Sequence, residues 1–193
     1  MTKRLPLAAT LSLLLVNTAW AEPQVSVDYD FYTIAPANRY DIDTELNKKR
    51  PVMETGTDFT GHTDWRVHLT FHSVERAGIC SIADANVTVL VRYTLPELDE
   101  NYFYDWATES AFNHYYAALL LHEQGHGESG RLAAVELQET LGRLHSHSGC
   151  AALGQSVQAN FSHILEKYRR RDQEYDQQTD HGRSQGADLG LLP

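Results

Sequence analysis

The sequence predicts an α+β fold, a small N-terminal antiparallel β-sheet packed on two long C-terminal helices. Two observations carry this. The first half alternates apolar and polar residues with a period of two, at Val25, Val27, Tyr29 and Phe31, at Trp65, Val67, Leu69 and Phe71, and at Val87, Val89, Val91 and Tyr93. That is the pattern of half-buried strands. The second half is helical in period and is built on Leu119-Leu-Leu-His122-Glu123-Gln-Gly-His126.

In chain order, Met1 to Ala21 read as a secretory signal peptide. Lys3 and Arg4 give the positive start, Leu5 to Val16 the apolar run, and Ala19-Trp20-Ala21 a small-x-small cleavage site. The run is well short of the ~20 residues that span a bilayer. The expectation is therefore an exported protein, periplasmic or secreted, without membrane insertion. Residues 22–193 form one domain, 22–100 mostly β, 101–182 mostly α and 183–193 a loosely held tail. The net charge of −10 becomes more acidic without Lys3 and Arg4. An acidic surface argues against nucleic acid and anionic membranes as partners. Cys80 and Cys150 are the two cysteines. In an oxidising compartment an isolated pair usually forms a disulfide, here worth about 2–4 kcal/mol.

Asp41 to Lys49 read as a short helix ended by Pro51, and Glu54 to Asp64 as a turn-rich loop. Leu95-Pro96 closes the last strand. His68 and His72 share a strand face with Arg66 and Thr70 and are expected in solvent; His62 lies at the sheet's margin. The first long helix is expected to start with Thr108 or Ser110 as its cap and to run to about Leu144. The tract Leu144 to Gly149, with His145 and His147, is a connector. A second helix runs from about Cys150 to Glu174, with Leu153, Val157, Phe161, Ile164, Leu165 and Tyr168 as its apolar face. Arg169 to Arg171 are a solvated basic face.

His122-Glu123-x-x-His126 has the H-E-x-x-H form of a zincin-like active-site helix. Residues four apart on a helix are separated by about 6 Å along the axis and by little in azimuth, so two imidazoles reach one tetrahedral ion. Glu123 can take a proton from water without ligating the metal. Tyr115, Leu119, Ala133, Leu137 and Leu144 share the histidines' arc, and Gln124, Glu128, Arg131, Glu139 and Arg143 lie opposite. The histidines therefore sit on the core-facing stripe, where an unpaired polar group is costly. Gly125, Gly127 and Gly130 each cost a helix about 1 kcal/mol relative to alanine. Either the helix breaks there or another segment approaches closely.

A catalytic zinc normally has three protein ligands and water. The extended H-E-x-x-H-x-x-G-x-x-H form fails, because Ser129 and Leu132 stand at its further positions, and Ser146 occupies the place of a downstream glutamate. His181 is the best remaining third ligand by residue type, with Asp176 or Asp180 available to orient an imidazole.

The chain resembles the bacterial predicted secreted zinc-dependent proteases, a family catalogued as a domain of unknown function. The resemblance runs through the tyrosine-rich first strand, Trp65, Gly78-Ile-Cys80, Leu95-Pro96, His122-Glu123-x-Gly125-His126, Cys150, and the closing Tyr175-Asp176-x-x-Thr179-x-His181-Gly182. It implies a zinc site with His181 as third ligand and a Cys80–Cys150 disulfide.

The reading is an exported zinc metallopeptidase acting on a peptide or protein substrate. His122, His126 and His181 hold zinc, Glu123 is the general base, and Tyr175 donates to the oxyanion. Three rivals stay open: a zinc-containing envelope binding protein without turnover, with His114 or His145 as a fourth ligand; an interaction module in which the motif is accidental; and an amidase on cell-wall peptides.

Overall fold

The computed structural model describes residues 22–51 and 59–191. Met1–Ala21, residues 52–58, which include the first five residues of the expected loop, and residues 192–193 lie outside them. The fold is α+β. Strand β1 (Gln24–Ile34) is followed by α1 (Ile42–Lys49), β2 (His62–Arg76), β3 (Ile79–Leu98), α2 (Trp106–Leu141), the two-residue β4 (His145–Ser146) and α3 (Cys150–Thr179).

The sheet order is β1-β3-β2, with β4 pairing the start of β3. β2 and β3 form an antiparallel hairpin whose turn places Ala77 and Gly78 at φ of 51° and 75°. Positive φ at both central residues is the twist that a two-residue hairpin requires. β1 joins β3 in parallel, Val27 beside Val91 and Tyr29 beside Tyr93. The sheet is thus mixed where a purely antiparallel one was expected. The chain passes through α1 and β2 before returning as β3, so β1 and β3 run the same way.

Val87, Val89, Val91, Tyr93 and Leu95 of β3 are buried, as their alternation predicts. The matching residues of β1 are not: Val25, Val27, Tyr29 and Phe31 remain exposed, because α2 packs on β3 and β2. Ile34, Ile42, Leu46, Leu137, Leu141 and Leu153 complete the core. His68 and His72 face solvent, as expected.

α2 is capped by Asp105, whose carboxylate accepts from Thr108 N at 2.7 Å, one turn earlier than the sequence suggests. Thr108 is instead the capped residue. The helix continues unbroken through its three glycines. A Cβ at Gly125 would collide with Tyr175, one at Gly127 with the Tyr93 hydroxyl, and one at Gly130 would lie 2.9 Å from Trp65. The glycines are therefore sites of close approach from α3, β3 and β2, which outweighs their low helix propensity.

α3 runs antiparallel to α2: Tyr168 bonds Glu136, Asp172 faces His126, and Thr179 reaches His122. It extends five residues beyond the expected end, so Tyr175 and Asp176 lie on its face and not in a following loop. Cys80 and Cys150 are bonded, with Cα atoms 5.2 Å apart, joining the start of β3 to the first residue of α3. The segment after α3 is not a loose tail. Asp180, His181 and Gly182 are all left-handed (φ 49°, 52° and 85°) and turn the chain back across α2, where Ala187 is buried.

Candidate metal centre

His122 and Glu123 are each only 3% exposed, as their place on the core-facing stripe of α2 predicts. The second contributor is α3, whose residues Asp172, Asp176 and Thr179 recur at helical spacing on one face. Asp176 Oδ1 lies 3.2 Å from His122 Nε2 and 3.1 Å from His126 Nε2, and the two Nε2 atoms are 3.3 Å apart. Among the described residues, this is the group of three ligand-bearing side chains whose atoms converge, all within 4.8 Å of one another.

On its other side each imidazole has an oxygen close to Nδ1. Thr179 Oγ1 donates to Tyr175 O at 2.7 Å, so it meets His122 Nδ1 at 3.4 Å as an acceptor. Gln185 Oε1 meets the same nitrogen at 3.1 Å. His122 therefore carries its proton on Nδ1. His126 Nδ1 lies 3.2 Å from Asp172 Oδ1, and the Trp65 indole donates to Asp172 Oδ2 at 2.7 Å. With Nε2 unprotonated, the two imidazole lone pairs and a carboxylate oxygen point at one place. Acceptors so arranged favour a shared cation, a proton in the metal-free site or a metal ion in its place. Ligands on a tetrahedral ion with bonds of about 2.0 Å stand about 3.3 Å apart, and the observed triangle matches that spacing. The residues fit a divalent metal ion, which His122, His126 and Asp176 could hold.

The same carboxylates set the titration of the metal-free site. Burial opposes charge on His126, but Asp172 and Asp176 outweigh it and its pKa is pushed up to about 10. Burial likewise works against the Asp176 carboxylate, yet His122 and His126 hold it well below the ordinary range. Glu123 goes the other way: burial raises it, and the hydrogen bond from Thr63 with the two nearby imidazoles only partly offsets that. Thr63 Oγ1 donates to Glu123 Oε2 at 2.6 Å.

His181, expected as third ligand, is not part of the converging group. Its side chain is 56% exposed, with Nδ1 3.6 Å from Asp176 Oδ1 and its ring 5.6 Å from that of Phe59. Asp176, expected at most to orient a ligand, is the side chain that converges with the two imidazoles. The orienting role falls to Asp172 and Gln185, which the sequence reading passed over. The spacing of Asp172, Asp176 and Thr179 was the available signal for the first. Tyr175 stacks on the His122 ring (centroids 5.1 Å, 10° between planes), and its hydroxyl is engaged with Gln185 on the Nδ1 side of that ring. The ring packs against both histidines. His114, His145 and His147 are exposed and outside the group.

Two adjoining cavities meet at Phe59, Gly61, His122 and Glu123. The smaller, about 190 Å³, contains His126, Asp172 and Asp176; the larger, about 840 Å³, opens past Arg39, Tyr115 and Leu119. Glu123 thus lies between the donor triangle and a cleft large enough for a short peptide.

Helices α2 and α3 packed on a sheet, with α3 joined to β3 by a disulfide and a two-histidine, one-carboxylate group between the helices, define an α+β protein built around a helix pair that could hold a metal ion. The sequence matches, over residues 29–182, the family described as a bacterial protein of unknown function (DUF922), and the chain belongs to that family. No curated protein and no solved structure matches the chain.

Proposed function

We propose that the protein is an exported zinc-dependent metallohydrolase that cleaves peptide bonds. The observation that carries the reading is the triangle of His122 Nε2, His126 Nε2 and Asp176 Oδ1 with edges of 3.1 to 3.3 Å, with the buried Glu123 next in sequence to His122 and lining the cleft. Two imidazoles and a carboxylate are a common donor set for catalytic zinc, and they leave a coordination position for solvent. Bound zinc supplies Lewis acidity, polarising a carbonyl and lowering the pKa of water to about 7. Glu123 takes the proton from the attacking water and returns it to the leaving amine; burial raises its pKa, which makes it the better base. Thr63 fixes the carboxylate, and Asp172, Gln185 and Thr179 keep both imidazoles in the ligating tautomer. Export is supported by the leader-like Met1–Ala21 and by the disulfide. Among the described residues no helix is long and apolar enough to cross a membrane.

A second reading, a zinc-holding envelope protein without turnover, draws on His181, whose Nδ1 lies 3.6 Å from Asp176 Oδ1 and would close the site if it became a fourth ligand. One experiment separates the two: elemental analysis of the purified protein, paired with cleavage of a peptide library by wild type and by E123Q. The hydrolase reading expects one zinc per chain in both proteins and a loss of turnover of at least about 100-fold in the variant. Zinc in both with no cleavage by wild type supports the second reading, and equal cleavage by E123Q ends Glu123's assignment as base.

A further inference from the structure

The chain carries a second surface that the metal centre does not use. The odd-numbered residues of β1 lie on the face of the sheet that forms the core, since they stand beside the buried Val89, Val91 and Tyr93 of β3. α2 covers β3 and β2, and β1 continues the apolar floor past the helix's edge. As a result Val25, Val27, Tyr29 and Phe31 are exposed by 46, 45, 46 and 48%. Among the described residues β1 also pairs on one side only. Eleven residues of strand therefore present an unpaired backbone edge and a contiguous apolar face together, the combination that protein sheets normally avoid unless something covers it.

We infer that β1 is an association edge, through which two copies of this chain pair antiparallel about a two-fold axis at Val27. The register follows from parity, charge and apolar overlap, since an axis at Phe31 also avoids like charges but sets Tyr29 against Thr33. Directly opposed residues in an antiparallel pair point to the same side of the sheet, so the apolar faces merge only if odd residues oppose odd ones. Centring on Asp28 would set that carboxylate against its own copy, and centring on Tyr29 would oppose Asp28 to Asp30. Centring on Val27 opposes Val25 to Tyr29, Asp28 to Ser26 and Asp30 to Gln24, with no like-charge pair. Arg92, 3.7 Å from Asp28 and 3.5 Å from Asp30, further neutralises the polar face. In this register each half-exposed side chain from Val25 to Tyr29 gains a cross-strand apolar neighbour at about 5 Å. The two sheets become one, and the edge disappears. An isologous contact of this kind closes on itself.

The test is sedimentation of the purified protein across a wide concentration range, followed by two variants. Wild type is expected at twice the mass of one chain. V27K, which places two ammonium groups at the axis, is expected at the mass of one chain with unchanged circular dichroism. V27C is expected to form a disulfide-linked dimer on mild oxidation, whereas F31C, opposite Pro23 at the margin of the pairing, is not; both native cysteines are already bonded to each other. The crosslink reads the register even if V27K folds poorly. A wild type that stays at one chain's mass throughout overturns the inference. So does a dimer that V27K leaves intact and V27C fails to link. A complex in which β1 is covered by a different protein's strand, with no self-association, overturns it equally. None of these outcomes depends on metal or on hydrolysis.

Discussion

Asp172 and His126 face each other across 3.2 Å, with the carboxylate on the imidazole's Nδ1 side and the donor triangle on its Nε2 side. The Trp65 indole holds the other oxygen of the same carboxylate. β2, α3 and α2 are thereby linked in one chain of contacts that ends at a ligand. A ligating histidine whose second nitrogen is fixed by a carboxylate is both oriented and made more basic. Asp172→Asn is expected to weaken metal affinity about 10- to 100-fold while leaving the ligands in place. Competition with a chromophoric chelator measures it; an unchanged affinity would reduce Asp172 to a partner of Trp65.

Asp176 and His181 make different predictions. Asp176 Oδ1 closes the donor triangle, and His181 is more than half exposed beyond it. Asp176→Ala should therefore empty the site in a metal analysis after dialysis, whereas His181→Ala should retain stoichiometric metal. The reverse result would show that the segment after α3 rearranges to bring His181 in and displace Asp176.

Removing the metal should leave a pH signature. In the chelated protein, His126 binds a proton with a pKa of about 10, against 6.5 for an unperturbed histidine. Between those values the folded state holds more protons than the unfolded state, so stability falls as pH rises. The contribution is complete below about pH 6.5 and lost through about pH 10. In the metal-loaded protein that proton is displaced, and the same interval should be flat. Thermal unfolding with and without chelator tests this; parallel profiles would mean that His126 does not bind the metal.

Gly125 should resist even alanine. Its Cβ would enter the space of the Tyr175 ring, which is held against the His122 and His126 rings and by Gln185. Overpacking of this kind typically costs 1–3 kcal/mol, against a gain of about 1 kcal/mol in helix propensity. G125A is expected to be less stable by roughly 1–2 kcal/mol in urea unfolding, with reduced metal affinity as the ring shifts. Gly154, where a Cβ would meet nothing, is the control: G154A should be neutral or stabilising.

What the sequence determined by itself is what one element's own period fixes. The 3.6-residue turn puts His122, Glu123 and His126 on the buried stripe of a single helix, and alternation in β2 and β3 settles which of their faces is core, whatever the rest of the chain does. Two cysteines could pair only with each other. The tertiary structure decided everything that needs two elements to meet. β1 has the same alternation as β3, yet the reach of α2 across the sheet leaves its apolar face half exposed. Gly125, Gly127 and Gly130 read equally as a helix break or a close approach until Tyr175, Tyr93 and Trp65 are seen lying against them. Asp176 rather than His181 completes the triangle because α3 continues past Glu174 to Thr179, carrying Asp172 and Asp176 along the face that meets α2, before three left-handed residues turn the chain away. A ligand supplied by another helix depends on where that helix stops and which face it turns, and both are set by packing between residues some 50 positions apart.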